Sequence, residues 1–463
     1  MMKKTATSTV IAFLLLFTIN FSAIPIDLQD GIKSWKAGVA KVAITPGESQ
    51  WMAGYAARNH PSEGVLHDLW SKALAFEDAR GKKAILITND LVQIPKTVSD
   101  RIRDRIGAKY GLTRSQIILN CSHTHSGPVL YNALSNIYPM NDDQLAVVKA
   151  YTRKFEDQIV DLAGKAIGSL KPAQIFTANG VTRFQVNRRN NTEATLTPMT
   201  ELNGPNDYAV PVIKVLNEAN ELIAVAFGYA CHATTLSIYQ FNGDYPGFAQ
   251  IELEKLHPGA TALFFQGAGA DQNPLPRRTV PLAQQYGKTL AAAVERVLSE
   301  NMRELAPTLT TVYSEIELQF ANPVPTKEEL MKIMEPSSKT PEYLKLNAKE
   351  LIKRLDRGET LKNYYPYPCQ VWKMGDQAVM ALGGELLVDY ANDLKKAFGP
   401  DIFVMGYTND VMAYIPSERV LREEGYEGTR SAIFTTPWHM NIQSTILKEM
   451  ARLAEIAGVE KNP

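Results

Sequence analysis

"KAILITNDLVQIPKTVSDRIRDRIGAKYGLTRSQIILN", Lys83 to Asn120, decides the fold class. It opens and closes on apolar runs rich in Ile and Leu, which read as buried strands. Between them "TVSDRIRDRIGAKYG" has the spacing of an amphipathic helix, and Gly111 suits its C-terminal stop. Strand, helix and strand in that order indicate an α/β domain.

The same alternation continues in both directions. Upstream, "KVAIT" reads as a strand, while "DLWSKALAFED" fits strand or helix equally well. Downstream, "IKVLN" and "LIAVAFGYA" read as strands joined at "EANE", "DYPGFAQIELEKLHPG" as a helix opening with Pro246, and "TALFFQ" as a short buried strand. "LAQQYGKTLAAAVERVLSE" repeats Leu, Ala and Val at three and four residue intervals, the apolar stripe of a helix. Residues 323–363 are charged and helix-prone, and the strand pattern returns in "CQVWKMGDQAVMALGG" and "IFVMGYTND". "PWHMNIQSTILKEMARLAEIAGVEK" reads as a closing helix. The expected architecture is a mixed β-sheet core flanked by helices, one catalytic domain over residues 24–463 with a helical insertion at about 323–363.

Composition narrows the partners. The 49 basic and 49 acidic residues cancel, and no basic run is present, so composition makes no electrostatic case for nucleic acid as a partner. At the N-terminus Lys3 and Lys4 precede "VIAFLLLFTINF", which ends at the small residues Ser22 and Ala23. That apolar run is short for a membrane span and has the form of a secretory signal peptide, residues 1–23. The expectation is a secreted or periplasmic protein with no stable membrane span after cleavage. Three cysteines, Cys121, Cys231 and Cys369, are too few for a disulfide scaffold.

The chain has only 7 histidines, and two of them stand one residue apart in "ILNCSHTHSGP". On an extended segment His123 and His125 would face the same side, roughly 7 Å apart. Alone, such a pair is more readily structural or solvent-facing than catalytic. His232 in "YACHATTLS" follows an apolar strand, at the carboxyl edge where α/β sheets usually bind ligands. Glu385 in "VMALGGELLVDY" follows another strand and a Gly-Gly turn. A carboxylate there is costly unless paired or bound to a cation, although it also suits the start of a helix.

"NCSHTHSGP", "FGYACHATTLS", "GGELLVDY" and "TNDVMAYIPSERVLREEGYEG" occur in the order and approximate spacing of the neutral ceramidase family. The opening "AGVAKVAITP" followed by "MAGYA" is similar to that family's N-terminal part. The resemblance runs from about Ala37 to Gly428. It implies a zinc (Zn2+) site of His123, His232, Glu385 and Tyr414, with His125, Arg188 and Tyr426 handling the reacting amide. Zinc lowers the pKa of bound water and polarises a carbonyl, so the implied reaction is hydrolysis of a carboxamide in an N-acylated substrate.

Two departures qualify that expectation: the position of a family serine, and the 35 residues after Gly428, where the resembled family commonly adds a C-terminal β-sandwich domain. Where the resembled family carries a catalytic serine, "FFQGAGADQNPLPRR" places Asn273, whose amide can donate a hydrogen bond but cannot attack. Gly267 and Gly269 would let backbone approach a ligand, and Arg277 and Arg278 would bind a carboxylate, sulfate or phosphate. These residues favour a polar N-acyl or O-acyl compound such as a modified sugar as the small-molecule substrate, whereas the family resemblance favours a sphingolipid amide; a zinc hydrolase or lyase acting on an acidic carbohydrate is an alternative. Non-catalytic metal or ligand binding is the remaining alternative.

Overall fold

The computed structural model describes residues 34–462 apart from 135–136, 198 and 431–435. The expected signal peptide lies outside the described residues. No helix among the described residues is long and apolar enough to cross a membrane.

The larger sheet has nine strands, ordered Thr261–Gln266, Leu222–Tyr229, Ala209–Asn217, Lys171–Val181, Trp35–Ala43, Trp70–Glu77, Lys83–Asn89 and Ile117–Cys121, with Arg303–Glu304 added beside Lys171–Val181. It is mixed: Lys83–Asn89 pairs in parallel with Ile117–Cys121, and Leu222–Tyr229 with Thr261–Gln266, while the pairs between them are antiparallel. The helix Lys96–Tyr110 connects the first parallel pair and stops at Gly111, in the left-handed conformation with φ 71°. Asp244–Leu256 connects the second. The ambiguous stretch after Asp68 is strand, not helix, and six of its eight residues are buried in the pattern iBBBBBBi.

A second sheet runs Leu309–Gln319, Tyr364–Met374, Gln377–Leu382 and Phe403–Met405. Its last two strands are parallel and joined through the helix Val388–Phe398. Helices Lys327–Met334 and Glu342–Asp356 occupy the connection between the antiparallel neighbours Leu309–Gln319 and Tyr364–Met374, within the stretch read as an insertion.

Strand alternation sorts the core into layers. Leu74, Phe76, Leu86, Ile118, Ala226 and Leu263 point to one face of the large sheet and pack with Trp372, Val379 and Phe403 of the second sheet. Their neighbours Ala73, Ala75, Ile85 and Ile87 point the other way, into the cluster that holds Ile102 and Ile106. Val225, Phe227 and Phe264 do the same against Leu290 and Val294 of the helix Val280–Ser299. The layers therefore run helices, sheet, sheet, helices. A strand buried on both faces reads the same whether a helix or a second sheet covers it, so the sheet-on-sheet packing leaves no mark on the sequence.

Three strand–helix–strand units share this frame, and their carboxyl edges converge. Asn120, next to the end of one edge strand, accepts a hydrogen bond from Gln266 N at 2.8 Å at the end of the opposite edge strand. Its Nδ2 donates to Gly406 O at 2.8 Å, just beyond Phe403–Met405. One buried amide thus ties together the three places where the chain leaves the sheets.

Candidate active site

His123 and His125 follow Ile117–Cys121, His232 follows Leu222–Tyr229, Asn273 follows Thr261–Gln266, Glu385 follows Gln377–Leu382, and Tyr414 follows Phe403–Met405. The tie through Asn120 brings these edges to one point. All three imidazoles are buried, and one nitrogen from each lies within 4.8 Å of the others.

The extended geometry expected for the histidine pair is not what forms. His123 sits two residues past its strand with φ 60°, turned by hydrogen bonding of its backbone N to Leu91 O at 3.0 Å. The left-handed residue swings the two rings together, so their Nε2 atoms are 3.1 Å apart. Strand alternation does not apply beyond the last ladder residue.

Each of two rings is keyed from behind. His123 Nδ1 lies 2.7 Å from Val92 O, and His232 Nδ1 lies 2.8 Å from Gly269 O. A carbonyl only accepts, so each Nδ1 carries the proton and each Nε2 presents a lone pair. Both lone pairs face Glu385 Oε2, at 3.2 Å and 3.3 Å. That oxygen is buried and has no hydrogen-bond donor. Three acceptors converging without a proton between them repel one another unless a cation sits among them.

The spacing fits zinc. A tetrahedron with bonds of about 2.0–2.1 Å has edges of about 3.3 Å, matching the two separations at Glu385. Tyr414 OH stands 3.5 Å from His232 Nε2, and Tyr414 pairs with Glu385 in a short parallel ladder. Burial, reinforced by Arg188, pushes His232 down to about 4, so its ring is neutral at pH 7 as a metal ligand requires.

His125 differs from its neighbours. Its Nδ1 is buried with no partner. Its ring is placed by packing: Tyr55 lies 4.7 Å away between centroids, and Gly54, at φ 107°, leaves room where a Cβ would come within 2.5 Å of His125 Cγ. Burial lowers its pKa well below the ordinary value.

Arg188 forms the adjoining wall. Its Nη2 donates to Tyr414 OH at 3.1 Å, its Nη1 to Asn273 Oδ1 at 3.4 Å, and its Nε to Glu427 Oε1 at 2.7 Å. Its guanidinium carbon lies 5.6 Å from the Tyr414 ring and 5.7 Å from the Tyr426 ring. Glu427, 4% exposed, also accepts from Arg189 Nη1 at 2.7 Å. Burial would raise the Glu427 carboxyl, but the two arginines bring it below the usual value.

Glu427, Tyr407, whose ring lies 4.4 Å from that of His123, and Gly54 went unnoticed in the sequence. The adjacency of Glu427 to Tyr426 was the available signal for the first. Gly267 and Gly269 serve packing, contrary to the reading as ligand contacts: a Cβ on Gly269 would fall 2.6 Å from Cys231 N, and one on Gly267 3.2 Å from Ala230 Cα. The arginine pair divides. Arg277 lines a cavity of about 580 Å³ with Arg188, Asn273 and Tyr426. Arg278, at φ 87°, points elsewhere and donates from Nη1 to Tyr55 OH at 3.1 Å. All three cysteines are buried free thiols.

Comparison with known proteins bears on the family and the fold. The family model described as neutral/alkaline non-lysosomal ceramidase, N-terminal, matches residues 35–276. Neutral ceramidase A of Dictyostelium discoideum is 26% identical over 270 residues, covering 54% of this chain and 37% of that protein. Neutral ceramidase 1 of Arabidopsis thaliana is 23% identical over 265 residues, covering 54% of this chain and 33% of that protein. The chain therefore spans about a third of the length of these curated relatives. The crystal structure of neutral ceramidase from Pseudomonas aeruginosa superposes with a TM-score of 0.69 at 18% identity, over 92% of this chain and 75% of that one. A structure described as ceramidase complexed with C2 gives 0.70 at 16% identity, over 93% and 76%. At these identities the structural likeness shows the fold.

Proposed function

The chain belongs to the neutral/alkaline non-lysosomal ceramidase family, and on that premise we propose that it is an exported, zinc-dependent hydrolase cleaving a carboxamide bond of an N-acylated substrate. One observation carries the reading: the lone pairs of His123 Nε2, His232 Nε2 and Glu385 Oε2 meet at 3.2 Å and 3.3 Å with no donor among them. These three residues, with Tyr414, would hold the ion. Zinc there supplies a Lewis acid and lowers the pKa of water towards neutrality.

The chain's own groups account for the rest. In the overall reaction the oxygen of water bonds to the acyl carbon, the C–N bond breaks, and a proton reaches the leaving nitrogen, giving a carboxylate and an amine. Arg188 and Tyr426 donate to the carbonyl oxygen as it gains charge, which is worth a few kcal/mol per donor. His125, neutral and without a partner on Nδ1, accepts and returns the proton. Asn273 lines the same wall as a hydrogen-bonding group, and its amide offers no nucleophile. Attack by water without a serine intermediate suits that substitution. The N-terminal apolar run supports export.

The test is hydrolysis of N-acyl substrates by wild type, His123→Ala and His232→Ala. Both variants lose activity by at least a thousandfold under the reading above. Undiminished turnover in either would sink it.

A further inference from the structure

The lining of the cavity beside the candidate metal site limits what it can hold. Among the described residues that line it, Leu275 is the one aliphatic side chain; the rest are charged, amide, hydroxyl, glycine or tyrosine. Burying an alkyl chain gains about 0.8 kcal/mol per methylene only when the methylene meets apolar surface. Here each methylene would instead strip water from guanidinium and carboxylate groups, at a cost. An acyl or sphingoid tail therefore has no favourable site in this cavity.

A ligand with one strong charge is also poorly matched, because most of the lining charges already have partners. Glu427 holds Arg188 and Arg189, each at 2.7 Å. Glu423 pairs with Arg189 at 3.0 Å and with Arg419 at 2.9 Å. What remains open is balanced. Arg277 reaches Glu193 with Nε alone, at 3.5 Å, leaving its other guanidinium N–H groups for a ligand. Glu424 has no ion-pair partner among the described residues, and Tyr426 presents a ring that is 56% exposed. Spare donors, a spare carboxylate and a flat aromatic face together match a ring bearing several hydroxyls. Each hydroxyl both donates and accepts, and gains charge-assisted hydrogen bonds without bringing a charge to be neutralised.

We infer that this cavity binds the polyhydroxylated part of the substrate, so that the N-acylated compound cleaved is an amino sugar. The word "N-acylated" rests on the hydrolase reading above; the polyhydroxylated part rests on the cavity. Arg277 is then a specificity residue that touches sugar hydroxyls and takes no part in bond breaking.

The test uses full-length zinc-loaded protein and four probes: N-acetylglucosamine, N-acetylgalactosamine, N-acetylcyclohexylamine, which has the ring without hydroxyls, and a fluorescent long-chain ceramide. Calorimetry should show at least one sugar binding tenfold or more tighter than the cyclohexyl compound. Arg277→Met should reduce that preference to threefold or less and raise KM for the sugar while leaving kcat unchanged. Equal binding of sugar and cyclohexyl probes, or a preference that survives in Arg277→Met, would overturn the inference. So would ceramide turnover exceeding that of both sugars, an outcome that leaves the hydrolase reading standing. Conversely, an Arg277-dependent sugar preference with no amide cleaved supports the cavity assignment and removes the hydrolase.

Discussion

The inner and outer walls of the site are built differently. On the inner wall His123 and His232 are each fixed by a backbone carbonyl at the end of a strand, and Glu385 is held in a ladder with Tyr414. On the outer wall Arg277 and Glu424 sit on connecting segments and Tyr426 opens the short helical turn Tyr426–Arg430, all partly open to solvent. The first arrangement is tied to the sheet frame through backbone groups. The second depends on side-chain pairs that one substitution can rewrite. A frame of this kind keeps its chemistry while its substrate changes, and Asn273 lies at the join, between Arg188 and Thr234.

His125 is the sharpest place to separate the walls, since no backbone carbonyl keys its ring and the packing of Tyr55 and Gly54 sets its position. Gly54→Ala would drive a Cβ into the His125 ring, and a displacement of about 1 Å at a reacting group costs on the order of a hundredfold in rate. The expected result is a kcat about a hundredfold lower with zinc content unchanged. Gly64→Ala is the control, because Gly64 also has positive φ, 153°, but nothing within 4 Å of its Cβ position. Equal losses in both variants would reduce the effect to backbone strain.

A smaller effect is expected one contact further out. Arg278→Met removes the hydrogen bond to Tyr55 OH, loosening the ring that packs on His125. We expect kcat to fall roughly tenfold with KM unchanged, the reverse of the Arg277→Met pattern. If the two arginine variants gave the same split between kcat and KM, the division of the pair between two walls would be wrong.

The smallest effect concerns pH. Burial opposes ionisation of Glu427, yet Arg188 and Arg189 bring its folded pKa below the ordinary value of about 4.3. Below that value the unfolded chain binds the proton first, so the stabilisation is present above pH ~4.3 and drains away as pH falls through the folded pKa. The slope from this one group is at most about 1.4 kcal/mol per pH unit. Thermal melts from pH 6 to pH 3 should show Glu427→Gln with the shallower decline; a parallel decline would contradict the role of the ion pair.

What the sequence revealed follows the same division. Apolar strands such as "LIAVAFGYA" and "TALFFQ", with the helices between them, declare themselves through local periodicity. His232 and Glu385 were visible because each ends such a run. Facts that depend on distant chain segments left no local trace: the face shared by the two sheets, the Asn120 tie, and the left-handed turn that folds His123 onto His125. Glu427 lies 239 residues from Arg188, so no spacing rule connects them.

The central claim is that His123, His232 and Glu385 hold one metal ion while His125 serves the substrate. Zinc content per chain, measured by mass spectrometry on purified wild type, His123→Ala, Glu385→Gln and His125→Ala after equal dialysis, tests it directly. The account predicts one zinc in wild type, little in His123→Ala and Glu385→Gln, and an undiminished ion in His125→Ala. Loss of zinc from His125→Ala with retention in Glu385→Gln would contradict it, replacing this ligand set with the three histidines.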